Sequence, residues 1–286
     1  MKLYSTLEIF DVITMERSTV FKLERHIEAP NWTKDGKFII YNSEGLIWQY
    51  ELSSGKHSIV DTGDIKDCNN DHVLSSDGRM LAISSMAPGT DIDVNGYNSY
   101  IYILPLAGGA PKQVTPNSPS FLHGWSPDGK TIAYCAMRNE DRGDIYTISV
   151  DGGEETRLTE TIGLSDGPEY SADGAHIWYN SVRSGLMQIW RMDYDGSNQI
   201  QITQDDRNNW FPHISPDNKK VVYISYNKED VEPGDHPANK NVQLHIMNYD
   251  GSDNKVIVKL FGGQGTLNVN SWSPDSSKFA FISYEI

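Results

Sequence analysis

The chain has 286 residues, 38% hydrophobic and 22% charged, with 7 Trp and 15 Tyr, a balance that excludes a disordered protein and supplies a sizeable core. Its formal net charge of -15 argues against nucleic acid and anionic lipid as partners, since both are held by Lys and Arg neutralising phosphates, and leaves uncharged or cationic ligands open. No apolar stretch approaches the roughly 20 residues needed to span a bilayer, so membrane insertion is not expected.

At the N-terminus, MKLYSTLEIFDVITMER carries Glu8 and Asp11 inside its apolar run. That spoils it as a signal-peptide core and leads to an expected cytoplasmic location, or a periplasmic one if a leader has been removed. Residues 7–14 and 18–24 read instead as two strands lacking strands of their own before them. WTKDGK follows at Asp35, and the same turn returns as LSSDGR at Asp77, WSPDGK at Asp128, YSADGA at Asp173, ISPDNK at Asp217 and WSPDSS at Asp275. The aspartates are 42, 51, 45, 44 and 58 residues apart, and the 11 residues after Asp275 with the 35 up to Asp35 complete a further interval of 46. A period of about 40 to 45 residues made of short strands marks a β-propeller of four-stranded blades. The prediction is an all-β, six-bladed β-propeller occupying residues 1–286 as one domain and one monomer, its sixth blade closed by strands from both termini.

The third repeat shows how a blade is made. SFLHGW and TIAYCAM flank Ser126-Pro127-Asp128-Gly129, where Ser126 opens a type I turn, Pro127 supplies the fixed φ and Gly129 takes the last position. The polar RNEDRG leads into DIYTISV, whose alternation places Tyr146, Ile148 and Val150 on one face. Asp151-Gly152, like Gly108-Gly109, Asp195-Gly196 and Asp250-Gly251, is expected to close a second hairpin with a primed turn. Cys68 and Cys135 lack metal-type spacing and read as buried free thiols.

W-S-P-D-G-K followed by an IAY-type strand, as over 124–134, resembles the TolB-like propeller repeat, a relative of the WD repeat with Pro-Asp in place of Trp-Asp. The likeness covers nearly the whole chain and implies a scaffold used for binding. The family's further N-terminal α/β domain and export signal are not read in these 286 residues. NNWFPHISPDNKKVVYISYNKED and LFGGQGTLNVNSWSPDS are similar to stand-alone members of that family. The repeat also occurs in propellers of the oligogalacturonate lyase type, which hold a divalent metal with histidines and a glutamine. That resemblance implies His123, His213, His236 and Gln264 as metal candidates, with Gln243 the other choice for the glutamine. It occurs too in prolyl oligopeptidase-like enzymes, but without GxSxG or a hydrolase domain serine-peptidase activity is excluded.

The first strand of each repeat runs down the channel, so its opening residues share one rim with the loops between second and third strands. Those loops are longest in repeats 2 and 5, over 86–99 and 226–242, and binding residues concentrate on such loops. The rim reads as a polar ring of His72, His123, Asp166, Glu169, Asn209, His213 and Asn270, with Asp71 beside them. The polar repeat-5 loop, with Pro233, Gly234 and Pro237, reads as lying outside the core, and His236 reaches in from it. Arg183, on a short loop beside the mouth, is placed to grip a carboxylate or to pair with Asp166 or Asp206. Trp210 is either a sugar-stacking platform or core, and His245 is core. Imidazoles and carboxylates ligate borderline divalent metals, yet the same groups serve equally as a water-bonded channel lining. The expected function is a non-catalytic propeller that uses this mouth to bind a protein, peptide or carbohydrate, without a cofactor. The alternative is a metal-assisted lyase or hydrolase acting on an acidic sugar.

Overall fold

The computed structural model describes residues 2–87, 98–139 and 142–286. Most of the expected repeat-2 loop, residues 88–97, and the centre of RNEDRG therefore lie outside the described residues. Five four-stranded antiparallel sheets and one three-stranded sheet form a ring of six blades. The innermost strands of the first five blades are Glu28–Trp32, Cys68–Leu74, Ser120–Trp125, Ser165–Tyr170 and Arg207–Ile214. In the sixth blade Lys278–Glu285 pairs with Tyr4–Asp11, from Tyr4 opposite Glu285 to Asp11 opposite Lys278, and Glu16–Leu23 is added outside. The inner strand of that blade is reduced to a bridge from Trp272 to Phe279, backed by the Ala280 N–H donating to Ser271 O at 3.0 Å. The ring is thus latched by strands from both ends of the chain, which removes the open sheet edge that a gap would leave. No helix long and apolar enough to cross a membrane occurs among the described residues.

The recurring turn has a local cause. In Ser126-Pro127-Asp128-Gly129 the Ser126 hydroxyl donates to Asp128 Oδ1 at 2.6 Å and accepts the Thr131 N–H at 2.9 Å. Asp128 Oδ1 also accepts the Lys130 N–H at 3.0 Å, and Gly129 sits at φ +76°. Thr33/Asp35, Ser75/Asp77, Ser171/Asp173, Ser215/Asp217 and Ser273/Asp275 repeat the same side-chain bond. These bonds to the charged form, chiefly from the Ser or Thr hydroxyl, lower the carboxyl pKa at Asp35, Asp77, Asp128 and Asp173, and hold Asp275 down to about 2. A carboxyl depressed by folding contributes stability that is present above its ordinary pKa and lost as pH falls toward the folded value. The melting temperature is therefore expected to drop steeply between about pH 4 and pH 2, less so in Asp275→Asn; a flat profile there would contradict the turn assignment.

The outer hairpins differ from the primed turns expected. Asp193 N–H donates to Ser197 O at 2.9 Å and Gly196 N–H to Asp193 O at 2.9 Å, enclosing three loop residues, with Gly196 at φ +89° and no positive φ at Asp195. A primed type I turn requires positive φ at both central residues, so this is the three-residue hairpin with a left-handed glycine. Asn248 and Ser252 close the same loop around Gly251 at φ +87°.

The described residues bury six apolar clusters, one at each blade-to-blade interface. The alternation read from the third strands supplies them: Tyr146 and Ile148 pack between blades 2 and 3, and Met192 between blades 3 and 4. Both cysteines are buried free thiols.

Candidate functional site

Each inner strand of the first five blades has a register shift where it meets its neighbour, at 28–31, 68–72, 122–124, 166–169 and 210–213. A bulge re-aims the side chains that follow it, and in blades 1, 4 and 5 it turns a polar side chain across the channel. Three of these bulges share one construction: a residue with left-handed φ, then proline, then a polar residue. They are Ala29 (φ 55°)-Pro30-Asn31, Gly167 (φ 62°)-Pro168-Glu169 and Phe211 (φ 53°)-Pro212-His213. Glycine is required at 167, where a Cβ would stand 2.6 Å from Asn180 Oδ1 and 2.9 Å from the Phe211 ring.

The three polar residues so placed form one network with Asn270. His213 Nδ1 meets Glu169 Oε2 at 2.7 Å, and its Nε2 donates to Leu267 O at 3.0 Å. Glu169 Oε1 accepts from Ile214 N at 2.9 Å and from Asn270 Nδ2 at 2.6 Å, while Asn31 Nδ2 donates to Asn270 O at 2.5 Å. The network ties blades 1, 4, 5 and 6 together across the channel. It also occupies both His213 nitrogens, so His213 has no lone pair to offer a metal.

Beyond this network, toward the loop-bearing face, the channel widens into a cavity of about 670 Å³. His123 and Asp166 line it from the inner strands, His236 from the loop of blade 5, and Gln264 from the segment leading into blade 6. The structure therefore brings these four sequence candidates together. His123 also borders a smaller cavity of about 290 Å³ at the turn face, so it stands at the partition of the channel.

The electrostatics of the mouth centre on His123. Its Nε2 lies 3.1 Å from Asp166 Oδ1. Burial opposes its charge, but Asp166 and Asp71 override that and hold the imidazole up at about 9, cationic at neutral pH. Burial likewise opposes ionisation of Asp166, yet His123 holds it down to about 2. Asp71 differs. Burial pushes it up to about 6 against the attraction of the His123 imidazolium, and Asn69 Nδ2, at 2.9 Å, is its one side-chain hydrogen bond among the described residues. Behind it Glu28 is pushed up to about 7, by burial first and then by Asp71.

A carboxyl raised by folding costs stability once pH exceeds its unfolded value, and the full cost is reached above the folded value. Asp71→Asn is therefore expected to gain stability relative to the parent as pH rises from 4 to 8, by less than relief of the buried carboxylate alone would give because the same charge supports the His123 imidazolium. Chemical denaturation at pH 4 and pH 8 measures this; a difference between variant and parent that is the same at both pH values would show that Asp71 is compensated.

His236 packs on Trp210 at 4.2 Å between ring centroids and edge-on to Phe211 at 5.2 Å, and His123 stacks on Phe211 at 5.5 Å. Phe211, displayed by its left-handed backbone, is thus the aromatic floor between the two imidazoles. The loop that carries His236 is also more than rim. Val231 is only 9% exposed within the core of blades 5 and 6, and Pro237 O accepts from Tyr226 Oη at 3.3 Å, which corrects its reading as a purely external loop.

The remaining candidates are placed elsewhere. His72 is fully buried between blades 1 and 2, its pKa pushed down to about 4 by burial. Asn209 is fully buried and donates to Asp205 and Gln188, an internal strand-end role. Trp210 is fully buried, so of its two readings the structure shows the core one. Arg183 pairs with neither Asp166 nor Asp206. Its guanidinium lies 4.2 Å from the Trp190 ring centroid and donates to Tyr179 Oη and to Gln199 Oε1 at 2.6 Å, all within blade 4. His245 stacks on Tyr223 in blade 5 as core.

Sequence reasoning passed over Phe211, Ser99 and Glu28 around the mouth. The signal available for Phe211 was the proline five residues before the turn aspartate, shared by Pro30, Pro168 and Pro212.

The metal set drawn from the lyase resemblance does not assemble, because His213 is spent on Glu169 and Leu267. Among the described residues no group of three or more His, Cys, Asp or Glu is arranged to hold a metal ion.

The fold and this mouth define a six-bladed propeller with a polar channel cavity. A family model described as the TolB beta propeller domain matches residues 92–235. The uncharacterized protein Atu1656 of Agrobacterium fabrum is 45% identical over 98% of this chain and 92% of its own length. The chain belongs to the TolB β-propeller family. A solved structure of a TolB-type protein from Agrobacterium tumefaciens superposes with a TM-score of 0.92 at 44% identity, covering 100% of both chains. The Tol-Pal system protein TolB of Francisella tularensis is 27% identical over 87% of this chain, which spans 54% of that protein's length.

Proposed function

We propose that the chain is a non-catalytic propeller that binds a short extended segment of a protein partner in the cavity at the loop-bearing end of the channel. The observation that carries this reading is the 670 Å³ cavity itself, which joins polar groups of the inner strands to aromatic and aliphatic walls such as Phe121, Phe211 and Leu164. Its volume lies within the roughly 300 to 1,000 Å³ typical of ligand pockets, enough for one or two side chains of a bound peptide. Family membership supports the same reading, since a relative is a component of the Tol-Pal system. A lyase or hydrolase reading lacks an assembled donor set in the described residues.

Affinity selection from displayed random heptapeptides on the immobilised protein tests the reading. Peptides recovered on the wild type are expected to bind at least about tenfold more weakly to Ser99→Trp, which fills the cavity. Met137→Trp replaces that variant should it not fold. Recovery of no peptide, or equal binding to the filled variants, would overturn the proposal.

A further inference from the structure

We infer that the partner segment enters the cavity with a basic side chain, Lys or Arg, whose charged end is received by the mouth carboxylates and whose aliphatic stem lies on the aromatic wall; this rests on the peptide-binding reading above. Asp67, Asp71, Asp166 and Asp235 all line the cavity, and none of its described lining residues is Lys or Arg. Asp166 is matched by His123 at 3.1 Å, but Asp71, only 5% exposed, has no ion pair among the described residues and a single side-chain hydrogen bond to a neutral amide. The His123 imidazolium, shared with Asp166, lowers the cost of this charge at a distance, but no cation contacts Asp71 directly, and a cation brought into the cavity would add that contact.

A second, independent feature lies in the wall of the same space. Ser99 lines the cavity and is 5% exposed, and its Oγ has no hydrogen-bond partner among the described residues. Buried polar atoms are ordinarily satisfied, so an orphan hydroxyl on a residue that lines the cavity is a group that a ligand's polar atom can satisfy after a rotamer change. His236 adds an imidazole at the rim, seated on Trp210 and Phe211.

The spread of these acceptors selects the kind of cation. A divalent ion needs several donors converging at about 2.0 to 2.6 Å, and no such group exists among the described residues. Carboxylates distributed around a cavity of this size suit instead the several N–H donors of an ammonium or guanidinium group. Phe121, Phe211, Met137 and Leu164 provide the surface along which a long side chain buries its methylenes while its end stays among polar groups. The rings also present faces to a cation.

The test uses the peptides selected on the wild-type protein, resynthesised with norleucine in place of each Lys, which keeps the stem and removes the charge. Binding of the Lys form measured by calorimetry is expected to exceed that of the norleucine form by at least about tenfold, and Asp71→Asn is expected to erase most of that difference without abolishing the norleucine binding. Equal affinity of the two forms, or selected peptides without basic residues, overturns the inference while leaving the peptide-binding reading standing. Binding that ignores Ser99→Trp overturns the reading beneath it. Free 1,5-diaminopentane, titrated alone, separates the sources of the charge: affinity equal to that of the Lys peptides would assign the site to a small amine and overturn the peptide-borne cation.

Discussion

Removal of residues 1–25 is expected to abolish cooperative folding. The deletion strips Tyr4–Asp11 from all eight of its pairings with Lys278–Glu285 and takes away the outer strand Glu16–Leu23. It also removes Leu7, fully buried among Ile27, Ile39 and Ile282, and Phe10, whose ring stands 5.5 Å from Phe279. Burying each such side chain is worth about 1.5 to 3 kcal/mol, and an eight-residue ladder is lost as well, against a whole-protein stability of about 5 to 15 kcal/mol. Buried Glu8 further receives Arg17 and Ser283, so the terminal strand fixes charge as well as apolar surface. Thermal denaturation by circular dichroism with size-exclusion chromatography is the measurement. A truncated chain that stayed monomeric and melted at the parent temperature would show that the ring does not depend on its latch.

The second large effect is expected at the channel network. Glu169→Ala leaves His213 Nδ1 and Ile214 N without their acceptor and breaks one of the two bonds made by Asn270 Nδ2, all within the buried wall of the channel. Removing one member of a buried hydrogen-bonded pair of this kind costs about 3 to 5 kcal/mol. For a chain of this size that corresponds to a fall in Tm on the order of 10 °C. Glu169→Gln keeps an oxygen for Ile214 and Asn270 and is expected to lose less than half as much. A Glu169→Ala protein within about 1 kcal/mol of the parent would mean that water replaces the carboxylate and that the network does not hold the blades.

The two effects bear differently on what the amino-acid sequence made readable. The latch followed from counting, because the Ser/Thr-x-Asp turn is a local device: one hydroxyl, one carboxylate and two backbone N–H groups within six residues, so its spacing survives in the letters. The polar ring was also legible as composition, and His123, Asp166, His236 and Gln264 do share a cavity. Which ring members are spent was not legible, because this depends on cross-strand register. A bulge at 210–213 sends His213 to Glu169 in the neighbouring blade, and no local pattern states that partnership. Arg183 reads as the partner of a carboxylate because its actual acceptors, Tyr179 and Gln199, and the ring beneath it, Trp190, lie on three different strands or turns of its blade. Asp71 was visible as a carboxylate but not as an under-paired one, which is a property of burial. The hairpin turns were misread because Asp-Gly serves both primed two-residue turns and three-residue loops, and the choice lies in the loop count rather than in the dipeptide.

The stability cost at Asp71 and the network at Glu169 have opposite meanings. Glu169 is fully engaged and holds the scaffold. Asp71 carries a charge that the distant His123 imidazolium and one amide repay only in part, since burial still raises its pKa. Conservative replacement is therefore expected to weaken the protein at the first position and, as pH rises from 4 to 8, to gain stability relative to the parent at the second, a contrast that separates frame from site within one channel.

Hydrogen–deuterium exchange of the full chain with and without a peptide selected on it locates the contact surface directly. Binding at the mouth is expected to protect the backbone of residues 67–71, 164–167 and 234–237 and to leave the turns around Pro127 and Pro216 unchanged. Protection confined to those turns or to the outer strands of the blades would contradict the assignment of the cavity as the binding site.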